Sequence, residues 1–136
     1  MQLNYRSKIL ASFFLILIGA LIMLILQYFQ NTPAPPSGEY YYSKFLRLNF
    51  TWIAILLYTI AGFTIGYYFQ LNCFIVGISL IGIFPITSII ESTIYPGSHN
   101  LIPFEFAVFF VYGLPAIIAA FAGKWLFEKS YKRKLP

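Results

Sequence analysis

The chain of 136 residues is long enough for one domain, and 60% of it is hydrophobic while only 10% is charged, far from the roughly 45–50% and 25% of water-soluble domains. Nine Lys and Arg stand against four acidic residues, all Glu, and the net charge of +5 is carried mainly near the two termini. That distribution suits an anionic membrane surface and excludes nucleic acid as the natural partner, while the lone Cys73 excludes an intramolecular disulfide, a CxxC redox pair and a thiolate metal cage.

Arg6 and Lys8 precede an apolar run over residues 9–28 that holds no ionisable group. At about 1.5 Å per residue, such a run crosses a hydrocarbon core of about 30 Å. It exceeds the roughly 7–15 residues of a signal-peptide core, and no small-residue cleavage site follows it. A retained first transmembrane helix is therefore expected.

Residues 29–49 form an outer loop. Its first part, NTPAPPSG, has three prolines and no periodicity, which predicts an irregular or polyproline-like linker. Tyr40, Tyr41, Tyr42 and Phe45 then stand beside Lys44 and Arg47, a mixture of ring surface and charge that favours the headgroup layer. The pattern predicts a short interfacial helix over residues 39–48.

The second span covers residues 50–69. The uncharged turn Gln70, Leu71, Asn72 predicts a tight hairpin into a third span over 73–93, within which Pro85 lacks a backbone donor and predicts a bend. A second outer loop, 94–102, contains Pro96, Gly97 and Ser98, and Pro103 is suited to the first turn of a fourth span over 103–127. Pro115 predicts a bend in that last span. The basic tail, 128–136, offers anionic lipid headgroups about 1 kcal/mol of attraction per cation.

The expected fold is an all-α integral membrane protein, an antiparallel four-transmembrane-helix bundle with a structured outer loop between helices 3 and 4. Four spans put both termini on one side. With the termini inside, that side holds Arg6, Lys8, Lys124, Lys129, Lys132, Arg133 and Lys134, while the outer loops hold only Lys44 and Arg47. The positive-inside rule then gives a multi-pass protein of the cytoplasmic (inner) membrane with both termini cytoplasmic.

Helices in lipid gain little from hydrophobic contact with each other, so small residues mark their packing faces. Gly62 and Gly66 in the second helix and Ala116, Ala119, Ala120 and Gly123 in the fourth are the candidate helix-packing residues. They serve either the bundle itself or self-association and contact with another membrane protein.

Polar chemistry gathers in residues 90–105, where Glu91, the lone histidine His99 and Glu105 lie between apolar segments. These three are the candidates for an outer-face acid–base site, although their spacing matches no metal motif, and no cofactor is indicated. The favoured alternative is a polar clasp in which Lys44 and Arg47 pair with Glu91 and Glu105, and Glu105 sits in the first turn of the fourth helix where the dipole favours it. Such a clasp would floor a pocket for a lipid headgroup or peptide, with Tyr41, Lys44, Arg47, Glu91, Tyr95, His99, Asn100 and Glu105 as ligand-binding candidates. The leading functional expectation is a non-catalytic binding or assembly partner for a lipid or another membrane protein in the bilayer. A small membrane enzyme is second, and an oligomeric pore or carrier third. No ionisable residue falls near mid-membrane, which counts against a proton-coupled carrier.

Overall fold

A computed structural model describes residues 5–98 and 102–132. Six helices and no strands are found among these residues: α1 (Tyr5–Gln30), α2 (Tyr41–Asn49), α3 (Trp52–Phe69), α4 (Cys73–Leu80), α5 (Ile83–Ile94) and α6 (Ile102–Lys132). Three of them, α1, α3 and α6, are long and apolar enough to cross a membrane. The count rises to four if α4 and α5, which meet at 48°, make one broken span.

The break between α4 and α5 falls at Ile81 and Gly82, just before Pro85 rather than at it. A proline ring collides with the carbonyl four residues earlier and offers it no N–H, and that carbonyl belongs to Ile81. It accepts the Phe84 N–H instead, at 3.0 Å, a tighter pairing that closes one helix and opens the next. At Pro115, by contrast, α6 continues as one helix.

Two of the connections are set by local chemistry. Asn72 caps α4, its side-chain oxygen accepting the backbone N–H groups of Phe74 and Ile75 at 3.0 and 3.3 Å. Gln70 takes the left-handed conformation at the end of α3, with φ of 53°, and its side chain donates back to the carbonyls of Gly66 and Tyr67. The three-residue hairpin turn follows from these two side chains.

Helix α3 packs most extensively against α6, and glycine is what permits it. A Cβ on Gly62 would collide with the carbonyl of Ala116, one on Gly66 with the carbonyl of Ala120, and one on Gly123 with the carbonyl of Phe63. Gly19 brings α1 equally close to the carbonyl of Leu80 at the end of α4. At that crossing the fully buried Tyr58 donates its hydroxyl to the carbonyl of Gly19 at 3.0 Å. Phe50, Tyr58, Phe84, Phe109 and Tyr112 form a continuous ring cluster, with Phe50 stacked on Tyr112 at 4.2 Å between centroids. The outward face of α1 is lined by exposed Phe13, Phe14, Leu17, Leu21 and Leu24, as expected for a surface bathed in hydrocarbon.

Candidate functional site

The start of α2 needs help that its own sequence does not supply. The first turn of any helix leaves backbone N–H groups without partners, and Tyr40, at the capping position, makes no side-chain cap. The Tyr41 N–H reaches the carbonyl of Gly38 at 3.2 Å, and the Lys44 N–H begins the regular helical pattern on Tyr40 at 2.9 Å. The two donors between them turn to Glu91 of α5. Its carboxylate accepts the Tyr42 N–H at 2.6 Å and the Ser43 N–H at 3.2 and 3.3 Å.

Glu91 is 1% exposed, so this is a buried carboxylate held by amides at the positive end of a helix, an arrangement that compensates its desolvation. The following loop folds back on the same residue. The Tyr95 N–H donates to the Glu91 carbonyl at 2.8 Å, and the Ser98 N–H donates to Tyr95 at 3.0 Å, with Gly97 at φ of 104° making the reversal. One turn before Glu91, Ser88 is fully buried and its hydroxyl finds no partner among the described residues.

Arg47, one helical turn beyond Ser43, forms the second tie. Its guanidinium is 3.3 Å from Glu105 in the first turn of α6 and lies over the Phe109 ring at 5.7 Å. A third set of bonds closes the linker. Gln30 donates to Thr51 at 2.9 Å, Thr32 donates to Asn49 at 2.8 Å, and the buried Asn49 donates to the carbonyl of Phe45 at 2.9 Å. Helix α2 is thus tied to α5, to α6 and to the segment after α1.

Of the residues singled out by sequence, Arg47 and Glu105 come together, and Glu91 joins α2 through backbone amides rather than through a cationic side chain. Lys44 is exposed and has no ion pair among the described residues. Tyr41 stacks near-parallel on Phe45 at 6.3 Å, and Tyr95 is exposed. His99 and Asn100 lie outside the described residues, as do Arg133 and Lys134 of the tail. Among the described residues no three His, Cys or Glu gather in a way that would hold a metal ion. At the opposite end, Lys129 sits over the Trp125 ring at 4.8 Å.

Beneath α2 lies a cavity of about 190 Å³ that sequence reasoning did not anticipate. Ala20, Met23, Leu24 and Gln27 form one wall, a single face of α1 by their spacing. Phe45, Leu46 and Asn49 of α2 close the top, and Ile83 and Thr87 of α5 form the far wall. Its cause is the break at Ile81 and Gly82. Helix α1 runs close along α4, but beyond the bend α5 meets it only sparsely, and α2 roofs the wedge between them. The one polar letter on that wall of α1 is Gln27, which follows the apolar run over residues 13–26.

No protein-family model, curated protein or solved structure gives a significant match to this chain.

Proposed function

We propose that the chain is a non-catalytic protein of the cytoplasmic membrane that works by binding membrane lipid. Its architecture in the bilayer is four antiparallel spans, α1, α3, the broken pair α4 and α5, and α6, with both termini cytoplasmic and α2 lying in the outer headgroup layer. The charge asymmetry between the terminal segments and the α2 end supports this orientation.

The observation that carries the reading is the engagement of both candidate catalytic carboxylates. Glu91 is spent on the first turn of α2, and Glu105 is spent on Arg47. A general acid or base must reach a substrate proton, and a carboxylate buried beneath two backbone amides reaches none. The clasp is a structural cap that fixes α2 over the bundle. Assembly with another membrane protein through the small-residue stripes has less support, because Gly62, Gly66, Ala116, Ala120 and Gly123 are buried where α3 meets α6.

The test is native mass spectrometry of the protein purified in mild detergent, with repeated detergent exchange before the measurement. Binding predicts a defined lipid adduct that survives the exchange. A monodisperse chain with no retained lipid would remove the reading.

A further inference from the structure

We infer that the exposed face of α6 around Trp125 and Lys129 is a binding site for a phospholipid with a net-negative headgroup, its phosphate paired with Lys129 and an acyl chain lying along Ile118 and Phe121. This rests on the lipid-binding reading above and names the class of lipid and the place that holds it.

The length of α6 decides where this face lies in the bilayer. Glu105, at the α2 end of the bundle, stands twenty residues before Trp125, and twenty residues of helix rise about 30 Å, the thickness of the hydrocarbon core. With Glu105 at the outer headgroup level, Trp125 falls at the opposite interface, the level that tryptophan favours. Lys129 lies one turn further, about 6 Å beyond the hydrocarbon and within the headgroup layer. In the orientation proposed above, that leaflet is the cytoplasmic one.

The side chains match that depth. Ile118, Phe121, Trp125 and Lys129 follow one another at intervals of three or four residues, which keeps them on one face of the helix. Ile118, Phe121 and Trp125 are each half or more exposed, and Phe74 of α4, also half exposed, meets Phe121 edge to face at 5.8 Å. The apolar part of the face therefore spans two helices. The Lys129 ammonium lies 4.8 Å from the centre of the Trp125 ring, a contact that holds the charge against the helix where the apolar stripe ends. Among the described residues no ion pair engages it. The adjacent acid, Glu128, stands four residues after Lys124, the spacing at which opposite charges on a helix are neighbours. A face that is hydrocarbon for two turns, aromatic at the interface and cationic beyond it matches a lipid with a negative head.

Charge is what selects among lipids here. Every phospholipid offers chains to Ile118 and Phe121, and tails gain little by exchanging places on an apolar helix face. A zwitterionic headgroup carries its own cation beside the phosphate, whereas an anionic one leaves the phosphate charge to Lys129. The cations further along the tail attract negative lipid without choosing a position for it. Trp125 and the stripe that leads to it supply the position.

The experiment uses phospholipids with brominated acyl chains, which quench tryptophan fluorescence on contact. The chain has two tryptophans, Trp52 and Trp125, so Trp52→Phe, a change at an exposed residue, leaves Trp125 as the sole reporter. In phosphatidylcholine vesicles, brominated phosphatidylglycerol is expected to occupy the site about fivefold more strongly than brominated phosphatidylcholine, the worth of one cation at a lipid surface. Lys129→Gln is expected to abolish that preference. Lys8→Gln, which removes an exposed cation at the same end of the bundle but on α1, is expected to leave it unchanged. A preference that falls equally in the two variants would show diffuse attraction to a positive surface and overturn the site. Equal quenching by the two brominated lipids would also overturn it, while lipid retained in native mass spectrometry would keep the broader reading standing. No retained lipid of any kind would remove both.

Discussion

The Oε1 atom of Glu91 lies 2.6 Å from the backbone nitrogen of Tyr42, so a carboxylate from α5 completes the first turn of α2. Two helices far apart in sequence are joined by a cap that neither could form alone. Glu91→Gln keeps the size of the side chain but sets an NH2 group against one of the two amide donors and removes the charge facing the helix end. A buried donor left without an acceptor costs about 1–3 kcal/mol, and the lost charge–dipole attraction adds up to about 1 kcal/mol. The variant is expected to lose roughly 1–4 kcal/mol on that sum, visible as a lower thermal midpoint in detergent. Glu39→Gln, a change at an exposed carboxylate, is the control and is expected to stay within about 0.5 kcal/mol of the parent. Equal midpoints for the two variants would show that the Glu91 bonds contribute nothing to stability.

The pair made by Arg47 and Glu105 should behave differently, although its 3.3 Å separation is also that of a close contact. The arginine side chain is 41% exposed, and exposed ion pairs contribute only about 0.2–1 kcal/mol. Glu105→Gln is therefore expected to cost less than Glu91→Gln. Its effect should shrink as salt rises, since exposed charges are screened over about 8 Å at physiological ionic strength, whereas the loss at Glu91 should persist. Thermal melts of both variants at low and high salt measure the contrast.

These two carboxylates also mark what could be read from the sequence. The helices were legible from uninterrupted apolar runs, and the short helix from its aromatic and basic mixture. Arg47 with Glu105 was legible because opposite charges at one end of the bundle seek each other. The partner of Glu91 was not, because backbone amides carry no letter in a sequence; the available hint was a helix starting at Tyr41 with no Ser, Thr, Asp or Asn before it. The cavity was hidden for a further reason. It depends on where a helix breaks, and Pro85 places that break at the residues before it, where the Ile81 carbonyl loses its donor. The fate of Gly62 and Gly66 was also open, because a small-residue stripe reads the same whether it meets α6 or another molecule.

Orientation in the membrane can be tested at two exposed serines. Cys73 itself is a poor reporter, since it is only 4% exposed, so Cys73→Ala supplies the background. Ser37→Cys in the linker and Ser130→Cys near the end of α6 both replace exposed residues. With both termini cytoplasmic, a membrane-impermeant maleimide added to intact cells should label Ser37→Cys and leave Ser130→Cys unmodified until the cells are opened. The reverse pattern would turn the protein over and put α2 at the inner face.

Two glycines should respond in opposite directions to the same added methyl group. At Gly66 a Cβ meets the carbonyl of Ala120 with its Cα close behind, and backbone atoms on a packed helix cannot swing aside as a side chain would. Relief requires α3 and α6 to separate along their closest line of approach, which loosens the neighbouring contacts at Gly62 and Gly123 as well. Gly66→Ala is expected to cost about 1–3 kcal/mol, the usual range for overpacking. At Gly113 the added Cβ would lie 3.4 Å from the carbonyl oxygen of Gly77 and 3.4 Å from Cγ1 of Ile81, which is ordinary contact. Nothing must move there, and alanine is the better helix former by up to about 1 kcal/mol. Gly113→Ala should match or exceed the parent's stability in the same melt in which Gly66→Ala falls below it. If both variants melt below the parent by similar amounts, close approach of α3 to α6 is not what distinguishes these positions, and the packing described for Gly66 is wrong.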